Sequence, residues 1–171
     1  MVILAAHDSL TANKALHWYM KPFTFLAKCQ SKSVADLYKS NVRLFDIRVR
    51  VTDKNEVIAC HGAYEYKADV ISILQYLNSK STKDDKIYVR IINEDTFLSS
   101  NHSNFLFWAK YKVANKFTNL TYMIIDSKKN WTTVYNDFPG VPDRCMFWTK
   151  DKDCYYPKQY ADKHNIENIL S

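Results

Sequence analysis

Two histidines and an arginine in the first third of the chain have the types and spacing to do chemistry. His7 follows the apolar run Leu4-Ala5-Ala6 and precedes Asp8-Ser9. Arg48 sits in Arg43-Leu44-Phe45-Asp46-Ile47-Arg48-Val49-Arg50, and His61 closes Val57-Ile58-Ala59-Cys60-His61-Gly62. Two imidazoles and a guanidinium gathered in one place suit a reaction at a phosphodiester. One imidazole takes a proton from an attacking hydroxyl, the other gives a proton to the leaving oxygen, and the guanidinium holds the phosphate charge.

The elements that must position these groups follow from periodicity. Strand-like runs cover residues 2–7, 43–52, 56–61, 86–92, 122–126 and 145–149. Helical patterns cover 33–40, 68–79, 101–117 and 157–170. The second of these has Val70, Ile73, Leu74 and Leu77 at 3.6-type spacing, and the third places Phe105, Trp108, Ala109 and Lys112 on one stripe. Strands alternating with helices predict parallel pairing in an α/β architecture. Alternate residues of a strand share a face. Asp46, Arg48 and Arg50 therefore face one way, while Phe45, Ile47 and Val49 face the helices. The same parity groups Ile3 and Ala5 with His7, and Val57 and Ala59 with His61. Three neighbouring strands then deliver His7, Arg48 and His61 to the carboxyl end of a barrel.

Composition bounds the alternatives. The 171 residues form one predicted domain, 1–171, with 47% apolar residues and a net charge of +6. With two glycines, Gly62 and Gly140, the chain cannot build the glycine-rich phosphate cradles of Rossmann or P-loop proteins. The scattered lysines predict a solvated basic surface rather than a nucleic-acid groove, so no specific nucleic acid is expected. Cys29, Cys60, Cys145 and Cys154 have neither CxxC nor zinc-type spacing, and all four are expected as reduced thiols. No run reaches the ~20 apolar residues of a membrane span, and the opening residues lack the pattern of a signal peptide. The expected location is cytoplasmic. No residue pattern specifies an oligomer.

Over residues 2–95 the chain resembles a known family. The matching segments are Ala6-His7-Asp8-Ser9, the block Asn41-Val42-Arg43-Leu44-Phe45-Asp46-Ile47-Arg48-Val49-Arg50-Val51-Thr52-Asp53, and Cys60-His61-Gly62. They are similar to the bacterial, metal-independent phosphatidylinositol-specific phospholipase C X-domain, within the PLC-like phosphodiesterases. The resemblance implies a TIM (β/α) barrel, here reduced or distorted because the chain is short of the ~250 residues of a complete one. It implies His7 as general base, His61 as general acid, Arg48 as phosphate binder, Asp8 as the carboxylate partner of the acid, and Asp46 as an orienting group. It also implies that Arg48 stands where calcium-dependent relatives place a metal-binding carboxylate, so neither metal nor cofactor is expected.

The chain departs from that family in places. Ile92 stands where the family has a lysine, leaving Arg90, one layer deeper, and Glu94 as substrate-binding candidates. Leu4-Ala5-Ala6 replaces Pro-Gly before the histidine. Asn41 replaces a glycine, a mild change because Asn tolerates the left-handed region. The late carboxylate partner of the base is assigned to Asp126, with Asp143 and Asp151 equal alternatives. The expected partner is a phosphodiester substrate with a phosphoinositide or related head group. The aromatics of 17–25 are expected to wrap a thin core, with transient insertion at a membrane surface as the alternative. Rival readings are a metal-dependent glycerophosphodiester- or nucleotide-type phosphodiesterase, and a non-catalytic binding protein on the same fold.

Overall fold

A computed structural model describes residues 4–94 and 99–126. The expected strand 145–149 and helix 157–170 lie outside these residues, as do Gly140, Asp143, Cys145, Asp151 and Cys154.

Six strands form one mixed sheet: β1 (Ala5–Ala6), β2 (Leu44–Val51), β3 (Val57–His61), β4 (Tyr64–Tyr66), β5 (Tyr88–Asn93) and β6 (Thr121–Asp126). Their order is β4-β3-β2-β5-β6, with β1 pairing to β2. The central strand β2 runs parallel to β1 and β5, and β5 runs parallel to β6. The all-parallel expectation fails at β3 and β4, which are antiparallel. The reason is loop length. A parallel return needs a crossover of a dozen or more residues, and the chain offers only Thr52–Glu56. There the Thr52 amide donates to the Glu56 carbonyl at 3.0 Å and Asn55 takes φ 63°. Gly62, at φ 59°, turns His61 directly into β4. Among the described residues the sheet does not close. The observed fold is a mixed α/β domain with an open sheet.

One face of the sheet makes the core. Phe45, Ile47, Val49 and Val51 are fully buried and join Leu37, Leu74, Leu77, Phe105 and Val113 in one apolar cluster. The helices supplying it are α1 (Thr24–Ala27), α2 (Val34–Lys39), α3 (Val70–Lys80) and α4 (His102–Phe107). Their starts follow from side-chain capping. The Ser33 hydroxyl accepts from the Asp36 amide, the Asp69 carboxylate from the Ser72 amide, and the Asn101 side chain from the Asn104 amide. Beyond α4 the chain continues as a π-helical stretch, Trp108–Ala114. Its wider turn brings Val113 rather than the expected Lys112 into the core.

A further correction concerns the aromatics after β1. Trp18–Phe23 is a 3-10 helix that runs into α1, and its rings do not wrap the core. Trp18 is 79% exposed and Phe25 74%, with Tyr19, Phe23 and Leu26 also exposed.

Candidate active site

The opposite face of the sheet carries charge. Cα partners in parallel strands share a face, so the register Asp46↔Arg90 and Arg48↔Ile92 stacks Arg90 beside Asp46 and Ile92 beside Arg48. On the other edge of β2, β1 pairs with Leu44 and Phe45 and then ends, while β3 pairs with Val49 to Val51 from the opposite direction. The two strands point at each other across a gap. His7 leaves one strand and His61 ends the other, so both arrive beside the middle of β2 where Arg48 projects. The histidines thus meet head-on, and not side by side at carboxyl strand ends as the parallel arrangement predicts.

A left-handed turn fixes the first of them. Asp8 has φ 47°, a conformation Asp tolerates better than most residues. Its amide donates to Asp46 Oδ2 at 3.2 Å, the Ser9 amide to the Asp46 carbonyl at 2.8 Å, and the Asp46 amide to the Ser9 hydroxyl at 3.1 Å. These bonds clamp the end of β1 to β2. Thr11 extends the clamp: its hydroxyl donates to the Asp8 carbonyl and accepts from the amides of Cys29 and Gln30. The loop after α1 is thereby drawn over the site.

Asp8 is the hub. Its Oδ1 lies 2.6 Å from Arg48 Nε. Its Oδ2 lies 3.1 Å from His7 Nε2, 3.4 Å from His61 Nε2 and 3.5 Å from Cys29 Sγ. Asp46 Oδ2 holds His7 Nδ1 at 2.9 Å and Arg48 Nε at 3.4 Å, while its Oδ1 lies 3.5 Å from Arg90 Nε. A terminal nitrogen of Arg48 lies 3.2 and 3.3 Å from the two His7 ring nitrogens. The imidazole centroids are 6.4 Å apart, with the rings nearly perpendicular. His61 Nδ1 faces the Ala27 carbonyl at 3.0 Å. A carbonyl only accepts, so that nitrogen carries its proton and Nε2 turns toward Asp8. The side chains of His7, Arg48 and His61 are 12%, 10% and 29% exposed. The site opens most widely over His61.

The electrostatics follow from this packing. Burial alone lowers the pKa of His7. Hydrogen bonds to Asp46 and Asp8, reinforced by their charges, outweigh it and raise the value to about 9. Burial likewise favours neutral Asp46, but the positive charges of Arg90 and Arg48, together with His7, hold its carboxyl well below the usual carboxylate range. His7 therefore rests as an imidazolium between two carboxylates at neutral pH.

The remaining predicted residues fall at different depths. Glu94 is buried, with Oε2 3.4 Å from Arg48 Nη1 and Oε1 accepting from the Gly62 amide at 3.2 Å. Arg90 is 2% exposed and meets Asp46 rather than solvent. Asp126 ends β6 in register with Asn93, which puts it on the parity of Val49 and Ile91 and not on that of Asp46 and Arg48. Arg50, one layer beyond Arg48, pairs with Glu65, whose Oε2 holds His17 Nε2 at 3.0 Å. A polar cleft of about 440 Å³ opens at the carboxyl end of β2, lined by Arg50, Thr52, Asp53, Ser99, Asn101 and His102; none of the central trio lines it. Sequence reading missed Cys29 and the Ala27 carbonyl. Both come from the loop after α1, which has no periodicity to place it.

No protein-family model and no curated protein matches the chain. Solved structures do. The chain is similar to phosphatidylinositol-specific phospholipase C from Staphylococcus aureus, at 18% identity and TM-score 0.54, over 73% of this chain and 47% of that one. It is similar to the enzyme of the same name from Listeria monocytogenes at 17% identity and TM-score 0.53, over 77% and 52%. A variant of the Staphylococcus aureus enzyme matches at 24% identity and TM-score 0.52, over 71% and 40%. At these identities the likeness is one of fold. The chain spans about half the length of those proteins.

Proposed function

We propose that this chain is a single-domain phosphodiesterase of the phospholipase C type. It would cleave a phosphodiester whose alcohol carries a neighbouring hydroxyl, such as a phosphoinositide head group, without a metal. The observation that carries this reading is the convergence of His7, His61 and Arg48 around Asp8. Arg48 binds the phosphate through the nitrogens it turns toward His7 and Glu94. His7 takes the proton of the neighbouring hydroxyl, whose oxygen then bonds to phosphorus. The phosphorus–oxygen bond to the leaving alcohol breaks, and His61 gives that oxygen a proton. The products are a cyclic phosphate and a free alcohol. Asp8 supports the His61 imidazolium, Asp46 orients His7 and Arg48, and Arg90 keeps Asp46 ionised from below. Glu94 is placed to accept from a ring hydroxyl of the head group.

One observation favours exchanging the two proton roles. A histidine raised to about 9 is a ready acid and a reluctant base. With His7 as base, turnover climbs as pH rises through about 9. With His7 as acid and His61 as base, turnover falls over the same interval. The pH dependence of kcat/KM distinguishes the two.

The substrate surface is proposed to be a membrane. Trp18, Tyr19, Phe23, Phe25 and Leu26 form an exposed apolar patch beside Lys21 and Lys28. Their helix ends at Ala27, whose carbonyl holds His61. Aromatic and basic side chains together suit an anionic lipid interface. The test is a panel of phosphoinositide, lysolipid, glycerophosphodiester and nucleotide substrates assayed in EDTA. Turnover of the phosphoinositide with release of a cyclic phosphate supports the proposal. Turnover that requires an added divalent cation, or that is confined to nucleotides, rejects it.

A further inference from the structure

The loop after α1 adds a sulfur to the two imidazoles and the carboxylate. One ligand-capable atom from each of His7, Asp8 and Cys29 lies within 4.8 Å of the other two. The spacing is close to that of a coordination shell. Metal–ligand lengths of about 2.0–2.3 Å place the donors of a tetrahedral site roughly 3.3–3.8 Å apart. Around Asp8 Oδ2 the separations are 3.1 Å to His7 Nε2, 3.5 Å to Cys29 Sγ and 3.4 Å to His61 Nε2.

The surroundings orient these donors as metal sites require. His7 gives its Nδ1 proton to Asp46, and His61 gives its Nδ1 proton to the Ala27 carbonyl. Each ring is thereby held with Nε2 toward the common oxygen, in the carboxylate–histidine and carbonyl–histidine arrangements that support bound zinc. Arg48 contacts the other oxygen of Asp8, Oδ1, and so leaves the Oδ2 side to the donors. Thiolate, imidazole and one carboxylate oxygen select zinc-like cations over calcium or magnesium, which want oxygen shells. The charge also balances. A divalent cation that displaces one proton from the His7 ring and one from the Cys29 thiol leaves the net charge of the cluster unchanged.

We propose that His7, Asp8 and Cys29 bind Zn²⁺, with His61 Nε2 or water completing the tetrahedron, and that the bound ion silences the site. Silencing rests on the phosphodiesterase reading, because the ion occupies the His7 nitrogen that would exchange a proton with substrate. Binding does not rest on it.

The test is titration of the full chain with Co²⁺, then Zn²⁺, followed by absorption and calorimetry, with turnover measured in parallel. One Co²⁺ per chain is expected, with a thiolate-to-cobalt charge-transfer band that Zn²⁺ abolishes. In Cys29→Ser the band should disappear and affinity should fall by more than the ~10–100-fold typical of losing an outer partner. Cys60→Ser, which alters a buried thiol away from the cluster, should keep both. Absence of the band in the wild-type chain, or its persistence in Cys29→Ser, overturns the proposal. A chain that binds zinc through Cys29 yet cleaves no phosphodiester keeps the metal site and rejects the function. A chain that turns over and ignores stoichiometric Zn²⁺ does the reverse.

Discussion

At the scale of residues, the site is a balance of opposite charges held mostly out of water. Arg48, Arg90 and the His7 imidazolium face Asp8, Asp46 and Glu94. The balance has a pH consequence. The pKa of folded His7 is raised from 6.5 to about 9. The stability it contributes is therefore fully present below 6.5 and is lost as pH rises through about 9. The contribution is on the order of 3 kcal/mol at most. Thermal melts of wild type and His7→Gln should differ most at pH 6 and converge near pH 10; a constant difference contradicts the assignment. A second expectation concerns Arg48→Lys. Lysine keeps a charge against three carboxylates but loses the planar fork, so kcat/KM should drop about 10²–10³-fold with the melt little changed. His7, Asp8, Asp46, Arg48 and His61 were legible in the sequence because each sits at the end of an apolar run or on one strand parity. Cys29 was not, since it reaches the site through hydrogen bonds to Thr11 that no local pattern announces.

The elements explain why those residues meet. A short hairpin turn reverses β3 against β2, and that reversal sends His61 back toward His7. The sequence revealed most of the strands and the helix starts, because alternation and capping are local. It did not reveal strand direction, which depended on how few residues link β2 to β3, nor β4, which is three residues long. Register makes its own prediction. Arg90 stands opposite Asp46 and is buried, so Arg90→Leu leaves a buried carboxylate short of one partner. The cost should be about 3–5 kcal/mol by chemical denaturation, and Asp46→Asn in the same chain should recover part of it. Equal melting of wild type and Arg90→Leu would mean that the pair does not hold β5 to β2. On the core side, Leu77→Ala should cost about 2–5 kcal/mol, since Leu77 is fully buried under α3.

Across the whole molecule, the charged face and the exposed aromatic helix lie on the same side of the loop that ends at Ala27. Catalysis and surface binding are thereby coupled through one short segment. Phe25→Ala combined with Trp18→Ala should weaken binding to anionic vesicles about tenfold or more while leaving cleavage of a water-soluble head-group diester unchanged. Loss of soluble turnover instead would mean that the helix supports the site and not the surface. The barrel expected from the sequence is an open sheet among the described residues, and the chain spans about half the length of the solved enzymes it resembles. The trio must therefore work on a smaller frame than theirs. The most direct measurement is phosphorus NMR of a phosphoinositide-type diester incubated in EDTA with wild type, His7→Ala and His61→Ala. The account predicts a cyclic phosphate signal from the wild-type chain, and a loss of about 10²–10⁴-fold in each variant. Wild-type silence on every diester, or variants that match the wild-type rate, would contradict it.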